Sequence, residues 1–136
     1  MIQAVNFKWP QGEDLNIQLV YREGDSINRT IPLNLATNYS LRMDLVHSTT
    51  RAVLYSYIST EHSQTLRSGT DKKSNINIFL PRSLTLPNGV LYSSITSNPP
   101  GSTFMYDIFL RNTVIDKQVK ILKGAISIES SNTLWA

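Results

Sequence analysis

The sequence predicts an all-β fold, an antiparallel β-sandwich of roughly 7–9 strands with one short helical turn, and three observations carry that expectation. Apolar residues recur at every second position in short runs, the pattern of strands with one buried and one wet face. Turn residues separate the runs at intervals of roughly 8–12 residues, and the strand–helix alternation of a parallel α/β sheet is missing. Ser, Thr and Asn make up about 29% of the 136 residues, a composition that favours turns and strands over helices. A closed barrel is the second architecture this pattern allows.

Val5, Phe7 and Trp9 form the first run, which Pro10 and Gly12 break. Leu15, Ile17, Leu19 and Tyr21 then alternate with Asn16, Gln18 and Val20 to give the clearest strand. Arg22 to Ser26 reads as a turn. The extended piece through Ile31, Leu33 and Leu35 contains Pro32, which cannot donate a ladder hydrogen bond and so confines it to a sheet edge or a loop. Tyr39, Leu41, Met43 and Leu45 alternate with Ser40, Arg42 and Asp44, and the run Ala52 to Ile58 follows the polar turn His47 to Thr50, so the two form a hairpin. Ser59 to Asn75, rich in Ser, Thr, Gln and charge, reads as a long exposed loop or a hairpin extension.

Ile76, Ile78 and Leu80 resume the alternation, and Arg82 to Leu86 fits one helical turn between Pro81 and Gly89. After the polar loop Ser97 to Ser102, a central strand carries Phe104, Tyr106, Ile108 and Leu110 on one face and Met105, Asp107, Phe109 and Arg111 on the other. The final strand, beginning at Ile115, changes parity between Val119 and Ile121 and the later Leu122, Ile126 and Ile128, with Gly124 the expected bulge or sheet switch. Phe7, Leu19, Leu41, Tyr106 and Ile108 are expected near the centre of a core about 10 Å thick. The organisation is an N-terminal arm or edge strand over residues 1–11, the β-sandwich over 12–129 and a C-terminal tail over 130–136.

Composition narrows the function. At 40% hydrophobic and 17% charged residues the chain can bury a core. No stretch is apolar enough for a membrane helix, and the start, MIQAVNFKWPQGED, lacks the basic and apolar regions of an export signal, so a soluble protein with no membrane partner is expected. The absence of cysteine excludes disulfides, thiolate catalysis and thiolate metal sites. Net charge is +3, but the basic residues are scattered apart from Lys72 and Lys73 and the spaced set Lys117, Lys120 and Lys123, so no nucleic-acid partner is expected.

No catalytic residue, cofactor or metal is expected. His47 and His62 sit in polar turn and loop segments that position a triad poorly, and Asp44, three residues before His47 on a strand, points to the opposite face. No nucleophile elbow or phosphate-cradling glycine loop occurs. Glu13–Asp14 and Glu23–Gly24–Asp25 offer oxygen ligands for calcium, although acids beside glycine are ordinary turn chemistry. Two glycosylation sequons, at Asn28 and Asn38, carry no weight without secretion. Asp107 stands mid-strand, where aspartate is disfavoured, and calls for a partner: a cross-strand ion pair to Lys120 or Arg111, or a charge at a protein interface. Tyr55, Tyr57 and Tyr92 are either core or interface aromatics or a glycan-binding platform.

Several segments resemble small bacteriophage tail and baseplate modules. They are the lead Gly12-Glu13-Asp14-Leu15-Asn16-Ile17, the step Pro32-Leu33-Asn34-Leu35-Ala36-Thr37, and the strand Leu41-Arg42-Met43-Asp44-Leu45. The turn before Leu86-Pro87-Asn88-Gly89, the Tyr106-Asp107-Ile108 strand and the ending Leu122-Lys123-Gly124-Ala125-Ile126-Ser127-Ile128 are similar too. Ile31-Pro32-Leu33-Asn34-Leu35 departs from the group's more usual Pro-Ile-Asp-Leu, and the Ser59 to Asn75 loop is longer.

The resemblance implies an immunoglobulin-like sandwich acting without enzymatic activity as a virion structural protein. It would be an adaptor or assembly subunit of a tail, neck or baseplate, a homo-oligomer in a symmetric array, in contact with other virion proteins and assembled in the host bacterial cytoplasm. Interface candidates are then Asp107, Lys72 and Lys73 in the long loop, and Leu134 and Trp135, which either anchor in a neighbour or fold back on the sandwich. A host-glycan-binding module and a capsid decoration protein are the alternatives.

Overall fold

The structure, a computed structural model, describes residues 3–21, 35, 37–62, 65–67, 75–92, 101–129 and 131. The strands are β1 (Gln3–Ala4), β2 (Phe7–Pro10), β3 (Leu15–Leu19), β4 (Tyr39–His47), β5 (Val53–Ile58), β6 (Ile76–Leu80), β7 (Gly101–Asn112) and β8 (Lys117–Glu129). They form two sheets. One runs β1-β8-β7-β4-β5 with β2 also on β8, and the other pairs β3 with β6. The expected hairpin is β4 with β5, antiparallel, with Met43 opposite Tyr57. The expected helical turn is a 3-10 turn at Arg82–Leu84, and another, Ser59–Glu61, follows β5.

One hydrophobic cluster joins the two sheets. Ile17, Ile76, Ile78 and Leu80 from the smaller sheet pack with Leu41, Met43, Phe104, Ile108 and Ile126 from the larger, all essentially inaccessible to water. Of the residues expected at the centre, Leu41, Tyr106 and Ile108 are there, whereas Phe7 and Leu19 are only partly buried against the cluster. Trp9, two residues beyond Phe7, takes the deep position, and its indole Nε1 donates to the Glu13 carbonyl at 2.6 Å. An indole needs that acceptor when it leaves water.

The larger sheet is not antiparallel throughout. β1 and β2 both lie parallel to β8, with Gln3 opposite Leu122 and Phe7 opposite Ile126. The chain therefore starts on the larger sheet's edge and crosses at residues 11–14 to the smaller one, which a parity argument cannot detect. Between β1 and β2 the strand steps outward: Val5 N–H donates to the Lys123 carbonyl at 2.9 Å, and the Asn6 Oδ1 accepts the Ala125 N–H at 3.0 Å. Gly124 permits this step. Its φ is 158°, and a Cβ there would stand 1.9 Å from the Val5 carbonyl oxygen, far inside contact distance.

The parity change in β8 is real but sits elsewhere. Phe109 pairs with Lys120 and Ile108 with Leu122, so the extra residue is Ile121, three positions before the expected Gly124. That bulge turns Val119 and Leu122 both toward the core side and sends Lys120 and Lys123 both to the outer side.

Of the segment expected as an exposed loop, Thr60 and Glu61 are exposed, but residues 65–67 and Asn75 pack against β6. Leu66 bridges Ile76, and the Asn77 N–H donates to the Thr65 carbonyl at 2.8 Å. Thr65 and Asn75 are buried, and their polar groups are bonded. The Thr65 hydroxyl meets the Tyr57 hydroxyl at 2.5 Å, and the Asn75 amide exchanges two hydrogen bonds with the Tyr21 backbone, at 2.7 and 2.8 Å. Polar residues that read as solvated loop instead substitute for missing ladder bonds in the interior.

Candidate functional site

The outer face of the larger sheet holds a trough of about 510 Å³. It follows from strand alternation: the residues between the core positions of β4 and β7 face outward. Across β4 and β7 the outward residues meet as Val46–Met105, Asp44–Asp107 and Arg42–Phe109. Across β7 and β8 they meet as Met105–Ala125, Asp107–Lys123 and Phe109–Lys120. The step at Val5 and Asn6 raises one bank of the trough, and Arg51, in the turn after β4, reaches the other. Beyond Phe109 and Arg42 a second hollow of about 230 Å³ continues on the same face toward Arg111 and Gln118.

Two carboxylates stand directly opposite one another at the centre. Like charges so placed repel, and each is compensated on its own side. Asp44 accepts from Arg42 Nε at 3.1 Å and from the Ser56 hydroxyl at 2.7 Å. Asp107 pairs with Lys120 Nζ at 3.5 Å, and that ammonium also lies 5.3 Å from the centroid of the Phe109 ring. These pairs are half solvated, so each stabilises the sheet by at most about 1 kcal/mol. Their joint effect is a face with partly buried apolar side chains (Val46, Met105, Phe109) between fixed charges of both signs.

Below this face Tyr106 fastens the edge strand. Its hydroxyl donates to the Val5 carbonyl at 2.6 Å and its ring packs at 5.8 Å on Phe7. Burial, and secondarily the negative charge of Asp107, push its phenol up to about 12. Tyr106 stays protonated and donating at any physiological pH.

Of the residues singled out from sequence, Asp107 is at the centre of the trough with Lys120 as its partner. Of the tyrosines considered for a glycan platform, Tyr57 is buried and Tyr55 and Tyr92 are partly exposed. Tyr55 and Tyr57 face Leu45 and Met43 on the core side of β5; Tyr57 is 1% exposed and stacks at 4.2 Å on His62. Tyr92 lies beyond Leu91 at the end of a turn on another part of the chain, its N–H bonded to the Gly89 carbonyl. No flat aromatic surface for a sugar is formed by Tyr57, whose alternation with Ser56 placed it inward. Lys72, Lys73, Leu134 and Trp135 lie outside the described residues.

Both histidines have structural partners: His47 Nδ1 accepts the Thr49 and Thr50 N–H groups, and His62 covers Tyr57. Asp14 accepts the Arg82 N–H at 2.7 Å, and among the described residues no three His, Asp or Glu side chains gather as metal ligands. Among them, too, no helix is long and apolar enough to cross a membrane. Sequence reading missed Asp44, Val46 and Lys123 as neighbours of Asp107; the signal was present in the outward parity of both strands, but the register that aligns them was not. Compared with known proteins, the chain matches no family model and no curated protein.

Proposed function

We propose that this chain is a non-enzymatic structural subunit of a bacteriophage particle, an adaptor or assembly component of the tail, neck or baseplate, working through protein contacts on an immunoglobulin-like sandwich. The outer face of the larger sheet is the observation that carries the reading. It spans three long strands, combines partly exposed apolar side chains with fixed charges, and is concave enough to receive a neighbour's ridge. The strand order supports the sandwich type. The consecutive neighbours β8, β7, β4 and β5 correspond to the G, F, C and C′ strands of a variable-type immunoglobulin domain, and β3 with β6 corresponds to B with E. The sequence resemblance to phage tail and baseplate modules supplies the setting, with assembly in the host bacterial cytoplasm, repeated copies and other virion proteins as partners.

Mass spectrometry of purified particles tests this. The chain is expected at a fixed copy number that follows the tail fraction through separation of heads from tails. Recovery with tail-less heads alone would reassign it to capsid decoration, and absence from all particle fractions would refute a virion role.

A further inference from the structure

The β7–β8 hairpin ends in a turn with unusual chemistry. Turn apices favour Gly, Asn, Asp and Ser, yet Thr113–Asp116 carries Val114 and Ile115 side by side, 70% and 65% exposed, more so than any other large hydrophobic residue among those described. The turn is held by its polar residues. Asn112 Oδ1 accepts the Val114 and Ile115 N–H groups at 3.0 and 3.3 Å, the Thr113 N–H donates to the Asn38 carbonyl at 2.9 Å, and Arg111 Nε and Nη2 reach Asp116 Oδ1 at 2.9 and 2.6 Å. Apolar side chains on so constrained a turn lose little further freedom on binding.

Beside this knob is a hole. Next to the turn a cleft of about 120 Å³ is lined by Tyr21, Tyr39, Leu110 and Val119 together with Asn112, Ile115 and Lys117. Its volume is about that of a branched aliphatic side chain, and its ring and aliphatic walls offer such a side chain apolar contact. Charge matches as well. The Asp116 side chain is 75% exposed with both guanidinium contacts on its Oδ1, and Lys117, exposed where it lines the cleft, forms no ion pair with the described residues. A knob edged by a carboxylate and an adjacent hole edged by an ammonium are complementary to a second copy turned through a two-fold axis, since a two-fold contact sets each patch against its own image.

We propose that two copies of this chain associate end to end at the β7–β8 turns, Val114 of each entering the cleft of the other and Asp116 of each meeting the other's Lys117. The contact deepens the reading above by naming the copy-to-copy surface, and leaves the outer sheet face free for different partners. So small a contact gives a weak dimer, which gains strength when many copies are held in one array.

Sedimentation velocity on the purified full chain over a concentration series is the test. The wild type is expected to shift reversibly from monomer to dimer, and Val114→Ser to weaken dimerisation at least about tenfold, since each dimer loses two buried aliphatic contacts. Asp116→Asn, which tolerates the residue's φ of 53°, should weaken it less and flatten its salt dependence. Circular dichroism reports whether each variant remains folded, Val90→Ser, at an exposed aliphatic outside both the turn and the cleft, serves as the control that should dimerise normally, and Asp107→Arg probes the sheet face as the other contact. A wild-type chain that stays monomeric, or a folded Val114→Ser chain that dimerises as well as wild type, would overturn the proposal. Loss of dimer in Asp107→Arg alone would move the copy contact to the sheet face. None of these outcomes bears on whether the chain is found in particles.

Discussion

The two faces of the larger sheet are written in the same strands by alternate residues, and they do different work. Inward, Leu41, Met43, Phe104, Tyr106, Ile108 and Leu110 are at most 2% exposed and join both sheets into one core. Outward, Arg42, Asp44, Met105, Asp107 and Phe109 stay partly wet, with each charge compensated locally and loosely. The difference teaches that burial and exposure are set residue by residue here: a side chain's parity on β4 or β7 decides whether it serves the core or the face proposed for recognition.

Ile108 and its neighbour Asp107 give the sharpest contrast. Ile108→Ala leaves a cavity in a site with no exposure and should cost about 2–5 kcal/mol in urea unfolding, with an unchanged m-value. A cost within about 0.5 kcal/mol would mean that the inner face does not carry the fold.

Tyr106 sharpens the comparison because it is an inward residue with a polar end. Tyr106→Phe removes the hydrogen bond to the Val5 carbonyl and should cost about 1 kcal/mol at neutral pH. The alkaline limb carries more information. With the folded phenol pushed to about 12 and the unfolded one at 10.0, the native state holds the proton more tightly in that window. The associated stability is complete below pH 10 and is lost as pH rises toward 12, because there the unfolded chain binds fewer protons. Tyr106→Phe should therefore shallow the fall in stability between those values. An identical alkaline slope in both proteins would show that Tyr106 titrates normally.

How much of this was legible in the sequence depends on whether a feature is local. Alternation gave the β strands, the β4–β5 hairpin and the assignment of Met105, Asp107 and Phe109 to one face, because a side chain's direction along a strand is fixed by period two. Asp107 was marked by a local anomaly, a charge within an apolar strand. Partners across strands were not legible: the Asp44–Asp107 juxtaposition needs the β4–β7 register, and the parallel β2–β8 pairing brings together residues more than a hundred positions apart. Gly124 illustrates the boundary. Its special role was visible, but as a bulge within its own strand, whereas the actual cause is the Val5 carbonyl of a distant one. Thr65 and Asn75 misled for the opposite reason, since buried polar residues and solvated loop residues share a composition.

The central claim is that the outer face works while the inner face holds, and one measurement addresses it most directly: the copy number of Asp107→Arg in purified particles, relative to wild type. The substitution replaces a half-exposed carboxylate beside Lys120 and Lys123, so the isolated domain should lose no more than about 1 kcal/mol. Incorporation should nevertheless fall at least about tenfold, as expected when a rim charge turns against its partner at an interface. A folded Asp107→Arg chain incorporated at the wild-type copy number would contradict the account.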